Sequence, residues 1–144
     1  MKKNNSLSFF IPKKETGLDA ILINTGISAG FPSPAGDYKQ ERISLDKELI
    51  KNQEATFFAR VSGESMVNAG LEDGDLIIID RSIEPSNNKI AVCYIDGEFT
   101  VKRLRVKKGK IWLQPENSKY QPIEIKDDNE LIIWGIVTNV VKKL

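Results

Sequence analysis

The stretch "KIAVCYIDGEFTVKRLRVKKGKIWLQP", residues 89 to 115, decides the fold class. Three runs rich in β-branched and aromatic residues are joined by "IDGE" and "KKGK". Both links have the length and the glycine of tight hairpin turns, so the runs read as consecutive antiparallel strands. Outward from them, "TFFARVS" (56 to 62), "DLIIID" (75 to 80) and "LIIWGIVTNVV" (131 to 141) are further short apolar runs, and "EDGD" supplies another glycine turn. Strands at this spacing predict a mostly β, antiparallel domain with little helix. One short helix is expected in "SLDKELIKN", where Ser44 could cap it ahead of Asp46 and Lys47, with Leu45, Leu49 and Ile50 apolar.

The pattern changes near residue 40. "SAGFPSPAGDY" (28 to 38) has turn and extended-chain residues and no periodicity, and reads as a connector. "GLDAILINTGI" (17 to 27) clusters apolar residues but is too short to stand alone. Residues 1 to 40 are therefore expected to form a flexible N-terminal arm, and residues 41 to 144 the β domain.

Length and composition narrow the function. A chain of 144 residues suits one domain, and 40% hydrophobic with 28% charged residues is ordinary for a globular protein. The 21 basic residues nearly cancel the 20 acidic ones, which argues against direct nucleic-acid or anionic-membrane binding as the main role. One cysteine and no histidine exclude an internal disulfide and a Cys/His metal cluster, and no cofactor is expected. Cys93, inside "KIAVCYI", reads as a small buried hydrophobe. The opening "MKKNNSLSFFIPKKE" is broken by Pro12, Lys13 and Lys14 and has no signal-peptide core. The apolar run from 131 is shorter than the about 20 residues a membrane helix needs. A cytoplasmic location is expected.

"GESMVNAGLEDGDLIIID" (63 to 80) places Ser65 in a glycine-framed turn before an apolar strand, as a serine nucleophile requires. With no histidine in the chain, the base must be something else. A lysine can serve if burial lowers its pKa from about 10.4 toward neutrality. In "EFTVKRLRV" the strand period of two puts Lys102 on a face with Thr100, Leu104 and Val106, while Arg103 and Arg105 share the other with Phe99 and Val101. Most other lysines lie in solvated runs such as "PKK" and "VKK". Lys102 is thus the lysine placed to be buried. On pattern alone two readings stand: a Ser65–Lys102 dyad, or a turn serine beside a lysine that guards a strand edge.

Three pieces in order add specificity. "SGESM…GLEDGDLIIID" followed by "DGEFTVKRL", "AGFPSPAGDY" upstream, and "NSKYQPIEI…WGIVTNVVK" at the end resemble the LexA/UmuD family of self-cleaving serine–lysine peptidases, over residues 29 to 142. The resemblance implies a LexA/signal-peptidase-like β domain with an extended arm. It implies Ser65 as nucleophile, Lys102 as general base and later acid, and the N–H groups of Ser65 and Glu64 as oxyanion hole. Gly63 would let the backbone turn to present them. The scissile bond would be Ala29–Gly30, leaving residues 30 to 144. Ala29 suits a shallow pocket and Gly30 a close approach, while Phe31, Pro32 and Pro34 favour an extended segment. UmuD-like members have cysteine where Ala29 stands; LexA-type repressors have alanine.

A repressor would need a helix-turn-helix ahead of the peptidase, and the roughly 40 residues there lack that pattern. A type I signal peptidase would need a membrane anchor. The UmuD-like branch implies a homodimer whose self-cleavage is promoted by a RecA–single-stranded DNA filament. Its product would join a UmuC-like Y-family translesion polymerase in SOS mutagenesis. The alternative is a polymerase-accessory binding module in which the dyad is silent or serves only maturation.

Overall fold

The computed structural model describes residues 7–13, 20–23, 30 and 40–144. The chain divides into two compact units, residues 1–12 with 52–144, and residues 13–51.

Among its described residues the larger unit is an antiparallel sheet of eight strands: β1 (Ser8–Phe10), β4 (Thr56–Arg60), β5 (Leu76–Asp80), β6 (Ile90–Ile95), β7 (Glu98–Lys107), β8 (Lys110–Gln114), β9 (Ile123–Glu124) and β10 (Leu131–Val141). Their order across the sheet is β1-β4-β5-β10-β6-β7-β8-β9. The strands 89 to 115 foretold are β6, β7 and β8, in consecutive hairpins closed at Ile95↔Glu98 and Lys107↔Lys110. Asp96 and Gly97 have φ of 47° and 87°, and Lys108 and Gly109 have 50° and 74°. Positive φ at both turn positions matches the right-handed strand twist, which explains the glycines.

Among the described residues, buried side chains form two clusters. Ala59, Val61, Met66, Leu71, Ile77, Ile79, Val92 and Val101 pack together in one; Ala91, Cys93, Leu104, Leu113 and Ile136 make the other. Alternate residues of β6 and β7 feed different clusters, which is how a period-two strand serves two packed faces.

The expected division at residue 40 falls elsewhere. β1, assigned in sequence to the arm, pairs with β4 through Ser8↔Arg60, Phe9↔Ala59 and Phe10↔Phe58. The Phe9 ring lies 4.8 Å from Trp134 on β10 and 5.0 Å from Phe99 on β7. The sheet therefore curls until its first strand reaches its middle, and apolar burial rather than local propensity holds this three-residue strand.

The smaller unit contains an antiparallel pair, β2 (Ala20–Ile23) with β3 (Gln40–Ile43), and the helix α1 (Leu45–Leu49). Ser44 occupies the N-cap with extended backbone, but its side chain makes no capping hydrogen bond. The helix is thus where the sequence places it, in the smaller unit rather than in the β domain, and without the expected cap.

Candidate active site

The turn carrying Ser65 is held at both ends. The Val61 N–H donates to Asp75 O at 2.9 Å and the Gly74 N–H to Val61 O at 2.8 Å, so the chain leaving β4 is tied to the chain entering β5. Gly63 has φ of 90° and donates its N–H to Asp73 Oδ1 at 2.9 Å. A side chain at that φ would be strained, and the Asp73 bond fixes the peptide there. Met66, 2% exposed, plugs into the first core cluster and leaves the half-buried Ser65 on the rim of a cleft. Leu7, Val61, Gly63, Met66, Thr100 and Val101 line that cleft around Ser65. Leu7 shows that the segment entering β1 contributes to the site.

Lys102 reaches the same place from β7. Its register partner is Ala91, and only 8% of the residue is exposed. Lys102 Nζ lies 3.0 Å from Ser65 Oγ, 2.6 Å from Thr100 Oγ1 and 3.1 Å from Val101 O. Burial penalises the ammonium and lowers the Lys102 pKa below the ordinary lysine value, with Cys93 a smaller opposing influence. A neutral amine can accept the Ser65 hydroxyl proton, so the pair has the geometry and the electrostatics of a nucleophile beside its base.

Arg103 and Arg105, on the other face of β7, are half-buried and partnered. Arg103 Nε donates to Glu116 Oε1 at 2.5 Å, and Arg105 Nε donates to Gln114 Oε1 at 3.1 Å. Long planar side chains can lie along a sheet and bury their stems.

Neither the Ser65 N–H nor the Glu64 N–H donates to an acceptor among the described residues. Two unengaged donors flanking a nucleophile are what an oxyanion hole requires. Gly30 is exposed and belongs to the smaller unit, and Ala29 lies outside the described residues. Cys93 is fully buried, and burial pushes its thiol up to about 12. Among the described residues no group of three Cys, Asp or Glu side chains could hold a metal, and no helix is long and apolar enough to cross a membrane.

A family model described as Peptidase S24-like matches residues 21–138, most of the chain and every residue of the site except Leu7. The chain belongs to this family. It is 43% identical over 114 residues to Protein MucA of Salmonella typhimurium, covering 78% of this chain and 77% of the relative. It is 44% identical over 124 residues to Protein SamA of the same species, covering 86% of each. A LexA repressor of Frankia alni is 39% identical over 118 residues, 82% of this chain but 45% of the repressor. This peptidase-like chain is thus similar to UmuD-like proteins nearly along their length and to LexA over the shared part alone.

Three features of this family member escape sequence reading. Thr100 is visible as a face-mate of Lys102 but not as its closest polar contact. Glu116 and Asn117, in the loop after β8, touch the backbone on either side of Ser65. Leu7 had no local signal beyond being apolar.

Proposed function

We propose that the protein is a UmuD-like self-cleaving serine peptidase that uses Ser65 and Lys102 to cut its own arm between Ala29 and Gly30. The observation that carries this is a lysine 8% exposed, with Nζ 3.0 Å from the Ser65 hydroxyl, in a chain without histidine. The family membership supports the peptidase class, and the similarity to MucA and SamA supports the SOS-mutagenesis branch.

Neutral Lys102 accepts the Ser65 proton as Oγ attacks the Ala29 carbonyl carbon. The oxyanion of the tetrahedral intermediate takes hydrogen bonds from the Ser65 and Glu64 N–H groups. Lys102, now an ammonium, returns its proton to the Gly30 nitrogen as the peptide C–N bond breaks, leaving Ala29 esterified to Ser65. Water, deprotonated by Lys102, then hydrolyses the ester. Thr100 holds the amine in line throughout.

A RecA–single-stranded DNA filament need supply no catalytic group. Favouring the arrangement with the arm in the cleft and Lys102 desolvated is enough, by population shift. The shortened homodimer would then join a UmuC-like Y-family polymerase, in the cytoplasm. Replacing Ser65 by Ala in cells that depend on this protein for damage-induced mutagenesis tests the reading. An uncut protein with mutagenesis lost supports the switch. An uncut protein with mutagenesis retained makes the β domain a polymerase-accessory binding module and the dyad incidental.

A further inference from the structure

The loop after β8 is locked onto the nucleophile turn. Pro115 is buried, Glu116 N–H donates to Ser65 O at 2.8 Å, and Asn68 N–H donates back to Glu116 O at 2.8 Å. The Glu116 carboxylate is held by Arg103, the neighbour of Lys102 on β7. One residue on, Asn117 Nδ2 donates to Glu64 O at 2.8 Å, while Asn117 Oδ1 accepts from the Lys119 N–H at 3.0 Å. The second bond fixes which way the amide faces, since only the nitrogen can serve a carbonyl and only the oxygen a backbone N–H.

These bonds fix two peptide planes. In a trans peptide the carbonyl and the following N–H point in opposite directions within one rigid plane. The Glu64 carbonyl and the Ser65 N–H share such a plane. Asn117 at 2.8 Å, with a longer bond from the Val67 N–H at 3.4 Å, holds that carbonyl on one side and so aims the Ser65 N–H to the other. The Glu116 bond does the same for the plane from Ser65 to Met66. The Gly63 N–H is engaged by Asp73 and so is not free to help.

We propose that Asn117 is a positioning residue that aims the Ser65 N–H as an oxyanion donor, with Glu116 steadying the next peptide. This rests on Ser65 being the nucleophile. It assigns Asn117 no contact with substrate. Its effect runs through the orientation of one N–H, so it should be felt only by reactions that develop an oxyanion.

The test separates two reactions at position 65 in the purified full-length protein. Phosphonylation of Ser65 by a fluorophosphonate needs a donor for the phosphoryl oxygen, whereas alkylation of a Ser65→Cys variant by iodoacetamide, on the pH plateau of its thiolate, does not. Asn117→Asp keeps the acceptor for Lys119 N–H and sets an oxygen against the Glu64 carbonyl, so the turn survives and only the longer Val67 N–H bond still holds that carbonyl. Asn117→Ala, which adds no charge, is the second variant. Both should slow phosphonylation by about ten- to a hundredfold, less than the 10²–10³ typical of deleting a donor outright. In the Ser65→Cys background both should leave alkylation unchanged.

Phosphonylation unchanged in both variants overturns the inference. So does a parallel fall in phosphonylation and alkylation, which would mean the turn itself had loosened. A wild-type protein labelled no more than Ser65→Ala would remove the nucleophile reading, and this inference with it.

Discussion

Lys102 stands directly opposite Ala91 in the β6–β7 pair, with one residue 8% exposed and the other 0%. An amine placed there costs stability. Burial lowers its folded pKa below the ordinary 10.5, so between the folded value and 10.5 the unfolded chain binds more protons. Stability therefore rises with pH across that window, and below it the fold carries the penalty of a buried charge. Lys102→Met should abolish self-cleavage yet stabilise the protein at neutral pH by about 1 kcal/mol or more, as replacing buried ionic groups with packed apolar ones often does. Denaturant melts at pH 7 and pH 10.5 would show the gain shrinking at the higher pH. A variant less stable at both would contradict the account.

Thr100 Oγ1 is the closest polar neighbour of Lys102 Nζ, at 2.6 Å. Thr100→Val keeps the shape and removes the bond, leaving the amine free to swing from Ser65. Self-cleavage should slow by about tenfold or more, as small misplacements of reacting groups do. Ser65 and Lys102 remain, so activity should not vanish. An unchanged rate would show that the strand alone orients the lysine.

Gly135 sits where the pairing of β10 with β6 shifts register. A methyl group there would meet Ile79 Cγ2 at 2.5 Å and Arg81 Cγ at 3.2 Å. Gly135→Ala should destabilise by about 1–3 kcal/mol, the cost of overpacking a filled site. Thermal unfolding checks this, and an unshifted midpoint would mean that the bulge absorbs the methyl.

Cys93 is 0% exposed and its thiol is pushed up to about 12 by burial. At pH 8 a disulfide reagent should leave it untouched in native protein and modify it only on unfolding, since the thiolate is the reactive form. Rapid reaction under native conditions would contradict the packing of the second core cluster.

What the sequence made legible was whatever local pattern controls. The Asp96–Gly97 and Lys108–Gly109 turns announce their hairpins because positive φ is a local demand. The long run of β10 shows itself by its apolar residues. Lys102 was found because a strand's alternation sets it among apolar residues and because the chain offers no histidine. β1 was missed because three residues are too few for a period of two to register, and its stability comes from Phe9 meeting Phe99 and Trp134 far along the chain. β9, of two residues, is below what periodicity can register. The loop bonds of Glu116 and Asn117 stayed hidden for the same reason: Asn117 and Glu64 are 53 positions apart, and nothing local marks an asparagine in a polar loop as a clamp. Ser44 shows the converse, a favourable capping residue whose side chain makes no cap.

The most direct test is intact mass after incubating purified protein at neutral and strongly alkaline pH, beside Ser65→Ala and Lys102→Ala. The account predicts that the wild type splits between Ala29 and Gly30, faster as pH rises and Lys102 loses its proton, while both variants stay whole. A wild type that stays whole at high pH and with RecA filament added, or a Lys102→Ala protein that cuts as fast as wild type, would contradict it.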